Sequence, residues 1–135
     1  MTTNTKTRIT SVRTIGVPVS DQDRALDIYV ETLGLEKRLD APVPQLGGRW
    51  IEVGAASSAT TLALIPESDD VPSGVETGIR LATEDADAVH ANLRSAGVDV
   101  GEVLRWEDVP PMFALRDPDG NGLEVVETVE RPGAL

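Results

Sequence analysis

The order of signals in the first half of the chain recurs in the second, and that recurrence restricts the possible folds more than any other feature. Thr14 to Tyr29 lines up with Gly78 to Leu93: each is a short alternating run, then a helix start, then an amphipathic helix. Leu33-Gly34-Leu35 closes the first helix and Ala96-Gly97-Val98 the second, with glycine where a left-handed cap is unstrained. Residue identity between the halves is slight; the common order of elements is what points to a repeated unit.

In the first copy, alternation from about Val12 to Val19 predicts a strand with Ile15, Val17 and Val19 on one face and Thr14, Gly16 and Pro18 on the other. Ser20 or Asp21 can cap a helix running to about Leu33, whose inner stripe is Ala25, Leu26, Tyr29 and Leu33. Three strands follow, over Glu36 to Leu39, Arg49 to Val53 and Thr60 to Ile65, with a loop from Ala41 to Gly48. Pro66 to Gly74 breaks all periodicity and reads as a linker. The second copy predicts a strand over Gly78 to Thr83, a helix over Asp85 to Ala96, and strands near Val103 to Trp106, Met112 to Arg116 and Gly122 to Glu127. Asp117-Pro118-Asp119-Gly120 suits a tight turn before the last strand.

A chain of 135 residues is suited to one compact domain. No stretch approaches the roughly 20 apolar residues that span a bilayer, and polar Met1 to Thr7 is not followed by an apolar run of the secretory kind, so no membrane partner and a cytoplasmic location are expected. Without cysteine there is no disulfide framework and no thiolate ligand or nucleophile. Twelve basic against 23 acidic residues give a net charge of −11, which repels polyanions and argues against nucleic acid as a partner.

Val17-Pro-Val-Ser-Asp21 opening a helix, Tyr29 ahead of Leu33-Gly34-Leu35, and Asp117-Pro-Asp-Gly-Asn-Gly-Leu-Glu124 near the end occur in one order within the repeat. Together they resemble the vicinal oxygen chelate superfamily of glyoxalases, bleomycin-resistance proteins and extradiol dioxygenases, most of all its metal-free antibiotic-binding members. The resemblance implies an α+β fold of two tandem βαβββ modules, a curved mixed sheet around a central cavity, and a homodimer. It places one domain over residues 9–129, with module 1 at about 9–66, a linker at 67–74 and module 2 at about 75–129, between tails at 1–8 and 130–135. In metal-dependent members the ligands come from the first and last strands of each module. The matching positions here are Thr14, Ala63, Gly78 and Glu124, of which only Glu124 carries a side chain of the usual ligand type. Zinc, iron or nickel chemistry generally needs about three protein ligands, so no metal and no other cofactor is expected.

Glu124 can then be a polar anchor, a base or a residual ligand, and Arg80, directed to the same face as Gly78, can pair with it as a buried ion pair. His90 aligns with Leu26 on the inner stripe of a helix and reads as a packing residue. Trp50, Trp106, Met112 and Phe113 are candidates for stacking on a flat ligand or walling its pocket, and each could equally be core. These residues, with Arg80, Glu124, Thr14, Ala63 and Gly78 lining the cavity, suggest sequestration of a hydrophobic aromatic or polycyclic small molecule such as an antibiotic, with no catalytic residue. The rivals are a glyoxalase-like lyase or isomerase, or a dioxygenase, with an atypical site centred on Glu124, and a regulatory or scaffold module without a ligand. Elemental analysis of the purified protein is expected to find far less than one transition metal per chain, with the melting temperature unchanged by chelator; a tightly held stoichiometric ion would contradict this.

Overall fold

The computed structural model describes residues 7–128, so most of the N-terminal segment and all of the tail expected from residue 130 lie outside the described residues. Module 1 runs β1 (Thr14–Val19), helix α1, β2 (Glu36–Val43), β3 (Gly48–Gly54) and β4 (Thr61–Pro66). Module 2 repeats the order with β5 (Glu76–Thr83), α2 (Ala86–Ser95), β6 (Asp99–Val100), β7 (Met112–Arg116) and β8 (Gly122–Glu127). The strands form two mixed four-stranded sheets, ordered β1-β4-β3-β2 and β5-β8-β7-β6. In each the first strand lies parallel to the last and the other pairings are antiparallel.

Both helices start where an aspartate can cap them: Asp21 accepts from the Arg24 amide and Asp85 from the Ala88 amide. Helix α1 is α-helical over Gln22–Leu26 and continues as a π-helix over Asp27–Thr32, where the β-branched Ile28, Val30 and Thr32 reduce the preference for a tight α-helical backbone. Its inward stripe is as the periodicity predicts, with Ala25 and Tyr29 buried and Leu26 and Leu33 partly buried against the core. A single apolar cluster draws on both modules, from Val17, Val19, Ile51 and Leu64 in one to Leu93, Phe113, Leu115 and Leu123 in the other.

Two segments depart from the sequence reading. The expected loop from Ala41 is strand as far as Val43, followed by a short 3-10 turn at Pro44–Leu46. Pro42 is tolerated there because β2 is an edge strand, with no further neighbour to miss its N–H. The strand expected over Val103 to Trp106 is absent: β6 ends at Val100 and only a single bridge joins Leu104 to Met112. Continuing that ladder would set Arg105 and Trp106 against Pro111 and Pro110, which have no N–H to donate.

The modules are joined by a buried polar network at the turn after β7. The Tyr29 hydroxyl donates to Asp117 at 2.9 Å. Asn121, fully buried, donates through its amide to Asp117 (2.9 Å) and to the Pro18 carbonyl on β1 (2.8 Å), and accepts from the Gly74 and Val75 amides (2.9 and 3.1 Å). The other Asp117 oxygen accepts from the Asp119 and Asn121 amides. At the rim, Asp119 receives the Ser20 amide and the Arg24 guanidinium. Burial, followed by the Asp117 charge, pushes the Tyr29 phenol far above its ordinary range, which keeps it a proton donor. Tyr29→Phe should cost about 1.5–3 kcal/mol, since it removes a donor to a buried carboxylate, and Asn121→Ala should cost more because four bonds go together. Urea denaturation of the two variants measures this, and an Asn121→Ala effect below that of Tyr29→Phe would contradict the assignment.

Candidate functional site

Strand alternation gives each sheet a core face and an opposite face, and the polar chemistry collects on the second. In module 1 the residues Val17, Ile51, Val53, Leu62 and Leu64 turn to the core. Between them, Thr14 pairs with Thr61 across β1 and β4, and Glu52 with Ala63 across β3 and β4, which sets these residues on the other side. Glu52 is only 4% exposed, yet it is surrounded there by donors rather than by core. The Trp50 indole N–H reaches it at 2.7 Å, the Thr61 hydroxyl at 2.7 Å and the Arg13 guanidinium at 3.2 Å, while the Thr14 and Thr61 hydroxyl oxygens lie 2.9 Å apart. First the Trp50 bond, then that of Thr61, hold the Glu52 carboxyl below its ordinary range; burial opposes them and the Arg13 charge adds to them.

Module 2 carries a different arrangement at the equivalent positions. Its β7–β8 register sets Ala114 opposite Glu124, where module 1 has Glu52 opposite Ala63, so the carboxylate stands one strand over. Arg80 neighbours Glu124 across β5 and β8 at 3.4 Å, with side chains 63% and 36% exposed. The pair forms as the alternation suggests but is not buried. A bulge between Glu76 and Arg80 breaks that alternation, and Gly78 within it has φ +74°, a left-handed conformation that a side chain would strain although there is room for one.

The aromatic candidates separate. Trp50 is half-buried beside Glu52, and Met112 is half-buried at the equivalent place in module 2. Phe113 points the other way, fully buried in the core with the His90 ring edge-on at 5.0 Å. His90 also contacts the Gly101 carbonyl at 2.8 Å. Trp106 lies outside any strand, 62% exposed, in the turn closed by the Val109 amide on its carbonyl. Thus Trp50, Thr14 and Ala63 share one face with Glu52; Arg80, Glu124 and Met112 lie on module 2. Glu52 was not among the sequence candidates, although the Trp50-Ile51-Glu52-Val53 alternation puts it on the same side as Trp50.

Between the modules lies a cavity of about 540 Å³. Ile15, Leu35 and Leu62 line it from module 1, Ile79 to Glu84 from β5, and Ser57, Ser58 and Thr60 from the β3–β4 connection. Of the sequence candidates only Arg80 touches it; Trp50, Met112 and Glu124 do not.

A metal of the kind used by enzymatic relatives does not fit the residues at the matching positions. Ala63 and Gly78 have no side-chain donor, the Thr14 hydroxyl lies within hydrogen-bond distance of the Thr61 carbonyl and hydroxyl, and Glu124 is paired with Arg80. Among the described residues no group of three or more histidine, cysteine or acidic side chains is placed to hold an ion, and no helix is long and apolar enough to cross a membrane.

Residues 11–125 match the profile of the Glyoxalase/Bleomycin resistance protein/Dioxygenase superfamily, and the chain belongs to that superfamily. An antibiotic binding protein, TnmS3, from Streptomyces sp. CB03234 is 33% identical, with 92% of this chain and 100% of that one covered and a TM-score of 0.81. A glyoxalase/bleomycin resistance protein from the same Streptomyces is 35% identical over 86% of this chain and 99% of that one, with a TM-score of 0.75. A superfamily member from Sphaerobacter thermophilus DSM 20745 is 35% identical over 89% of this chain and 98% of that one, with a TM-score of 0.78. Comparison with curated proteins gives no significant match.

The lowered Glu52 carboxyl has a consequence for stability. Its contribution is present above the unfolded-state value, about 4.3, and is lost as pH falls through the lower folded-state value. Denaturation midpoints measured from about pH 6 down to pH 3 should therefore fall less steeply for Glu52→Gln than for the wild type. Parallel pH profiles would show that Glu52 is not held in its charged form.

Proposed function

We propose that this protein is a metal-independent binding protein that sequesters an aromatic or polycyclic natural product of the antibiotic type and acts as a cytoplasmic homodimer. The observation that carries the reading is the 33% identity to an antibiotic binding protein, over 92% of this chain and the whole of that one. The depleted donor set at Thr14, Ala63 and Gly78 agrees with it, because sequestration needs only a shaped apolar surface and a few polar anchors. Trp50 offers a rigid apolar ring whose N–H is already satisfied by Glu52, and Met112 an adaptable wall. Arg80 and Glu124 serve as polar anchors.

Small-molecule sites bury about 70–90% of the ligand, which one open sheet face does not achieve alone. Leu39, Leu104, Trp106 and Val109 are 37–62% exposed, and a second copy of the chain would cover such apolar surface while supplying the opposite wall. Trp106, far from strand geometry, is then a residue that reaches a ligand at the subunit boundary.

Native mass spectrometry against a panel of polycyclic antibiotics tests the proposal, reading oligomeric state and bound mass together. A dimer carrying compound that is recovered chemically unchanged is expected. Trp50→Ala should weaken binding by more than about tenfold, combining lost stacking with lost contact area, and Glu124→Gln should weaken it modestly. Conversion of the compound by the wild type but not by Glu124→Gln would replace sequestration with the lyase, isomerase or dioxygenase reading.

A further inference from the structure

The geometry points to Glu52 as the residue that reads positive charge on the ligand, with Arg13 occupying the place that a ligand's ammonium or guanidinium group takes over. The inference rests on the binding reading above and adds a chemical class to it: an aromatic compound bearing a cationic nitrogen next to its ring. Glu52 sits on the face away from the apolar core, and its side chain is 5% exposed, while that of its ion-pair partner Arg13 is 74% exposed. Two neutral donors, Trp50 and Thr61, fix the carboxylate on either oxygen and leave its charge uncompensated. Arg13 compensates it through one nitrogen at 3.2 Å, rather than by the two-pronged contact a guanidinium can make with a carboxylate.

The backbone of Arg13 is fixed, since its carbonyl accepts from the Thr61 amide at 3.0 Å. Its side chain is not fixed in the same way, and exposed pairs of this kind are weak. Swinging the guanidinium into water costs little if another cation replaces it, whereas leaving Glu52 buried and unpaired costs much more. A ring stacked on Trp50 would carry its cationic nitrogen to Glu52, because the indole N–H and Arg13 meet at the same carboxylate oxygen. The net charge of −11 adds a favourable long-range field for such a ligand.

The test compares a matched pair of probes, 2-naphthylmethylammonium and the neutral 2-naphthylmethanol, titrated into the full-length protein by calorimetry. The wild type should favour the ammonium by about fivefold or more, and Glu52→Gln should reduce that preference to near one. Arg13→Ala, which removes the internal competitor and leaves Glu52 without a cationic partner, should widen the preference by about threefold or more. If Arg13→Ala narrows the preference, the assignment is overturned, whatever Glu52→Gln does to folding. If the wild type binds both probes equally, Glu52 does not read charge and the sequestration reading stands. Failure of both probes to bind, in protein that still takes up a neutral polycyclic antibiotic, overturns the assignment as well.

Discussion

The buried contact of Tyr29 with Asp117, completed by Asn121, is what turns two small modules into one molecule. Among the described residues neither four-stranded sheet pairs with the other, so the modules are held by their common apolar cluster and by this network. Hydrophobic packing is indifferent to small rotations, whereas hydrogen bonds in a dry interior are not. Asn121 touches the linker, β1 and its own turn at once, and therefore fixes how the open faces of the two sheets stand to one another.

The repeat also explains how a single scaffold carries unlike sites. At equivalent places module 1 has Gly16 beside Ala63 and module 2 has Arg80 beside Glu124, while the acidic side chain of module 1 stands one strand away at Glu52. The same backbone thus presents a recessed carboxylate flanked by an indole on one side and an exposed ion pair on the other. Their electrostatics differ accordingly: Glu52 is held charged by fixed neutral donors, and Arg80 and Glu124 are solvated and screened.

Much of this organisation is legible along the chain. Period-two and helical patterns, aspartates at both helix starts and glycines after both helices give the element order, because each is a local backbone preference that needs no distant partner. The motif around Asp117 to Glu124 signals the superfamily, and the loss of donors at Ala63 and Gly78 is a matter of residue type alone. The register of one strand against another is not local. Alternation alone sends Arg80 to a regular interior position, but the bulge at Gly78 and the neighbouring strand leave the pair with Glu124 in solvent. The reading of Val103 to Trp106 as a strand failed for a related reason, since the obstacle is a pair of prolines on the opposite chain segment.

The sequence by itself determined the repeated βαβββ order, the family and the loss of the usual ligand types at Thr14, Ala63 and Gly78, since these follow from residue identity and short-range periodicity. The tertiary structure alone decided which side chains meet. Phe113 and Met112 are adjacent in sequence, yet one is core and the other faces away from it, and only the packing of α2 and His90 against β7 says which. Glu52 is an unremarked acid in an apolar strand until β4 and the segment before β1 bring Thr61 and Arg13 to it from 9 and 39 residues away. Burial and charge compensation are properties of neighbours in space, and the pairing of strands is what supplies those neighbours.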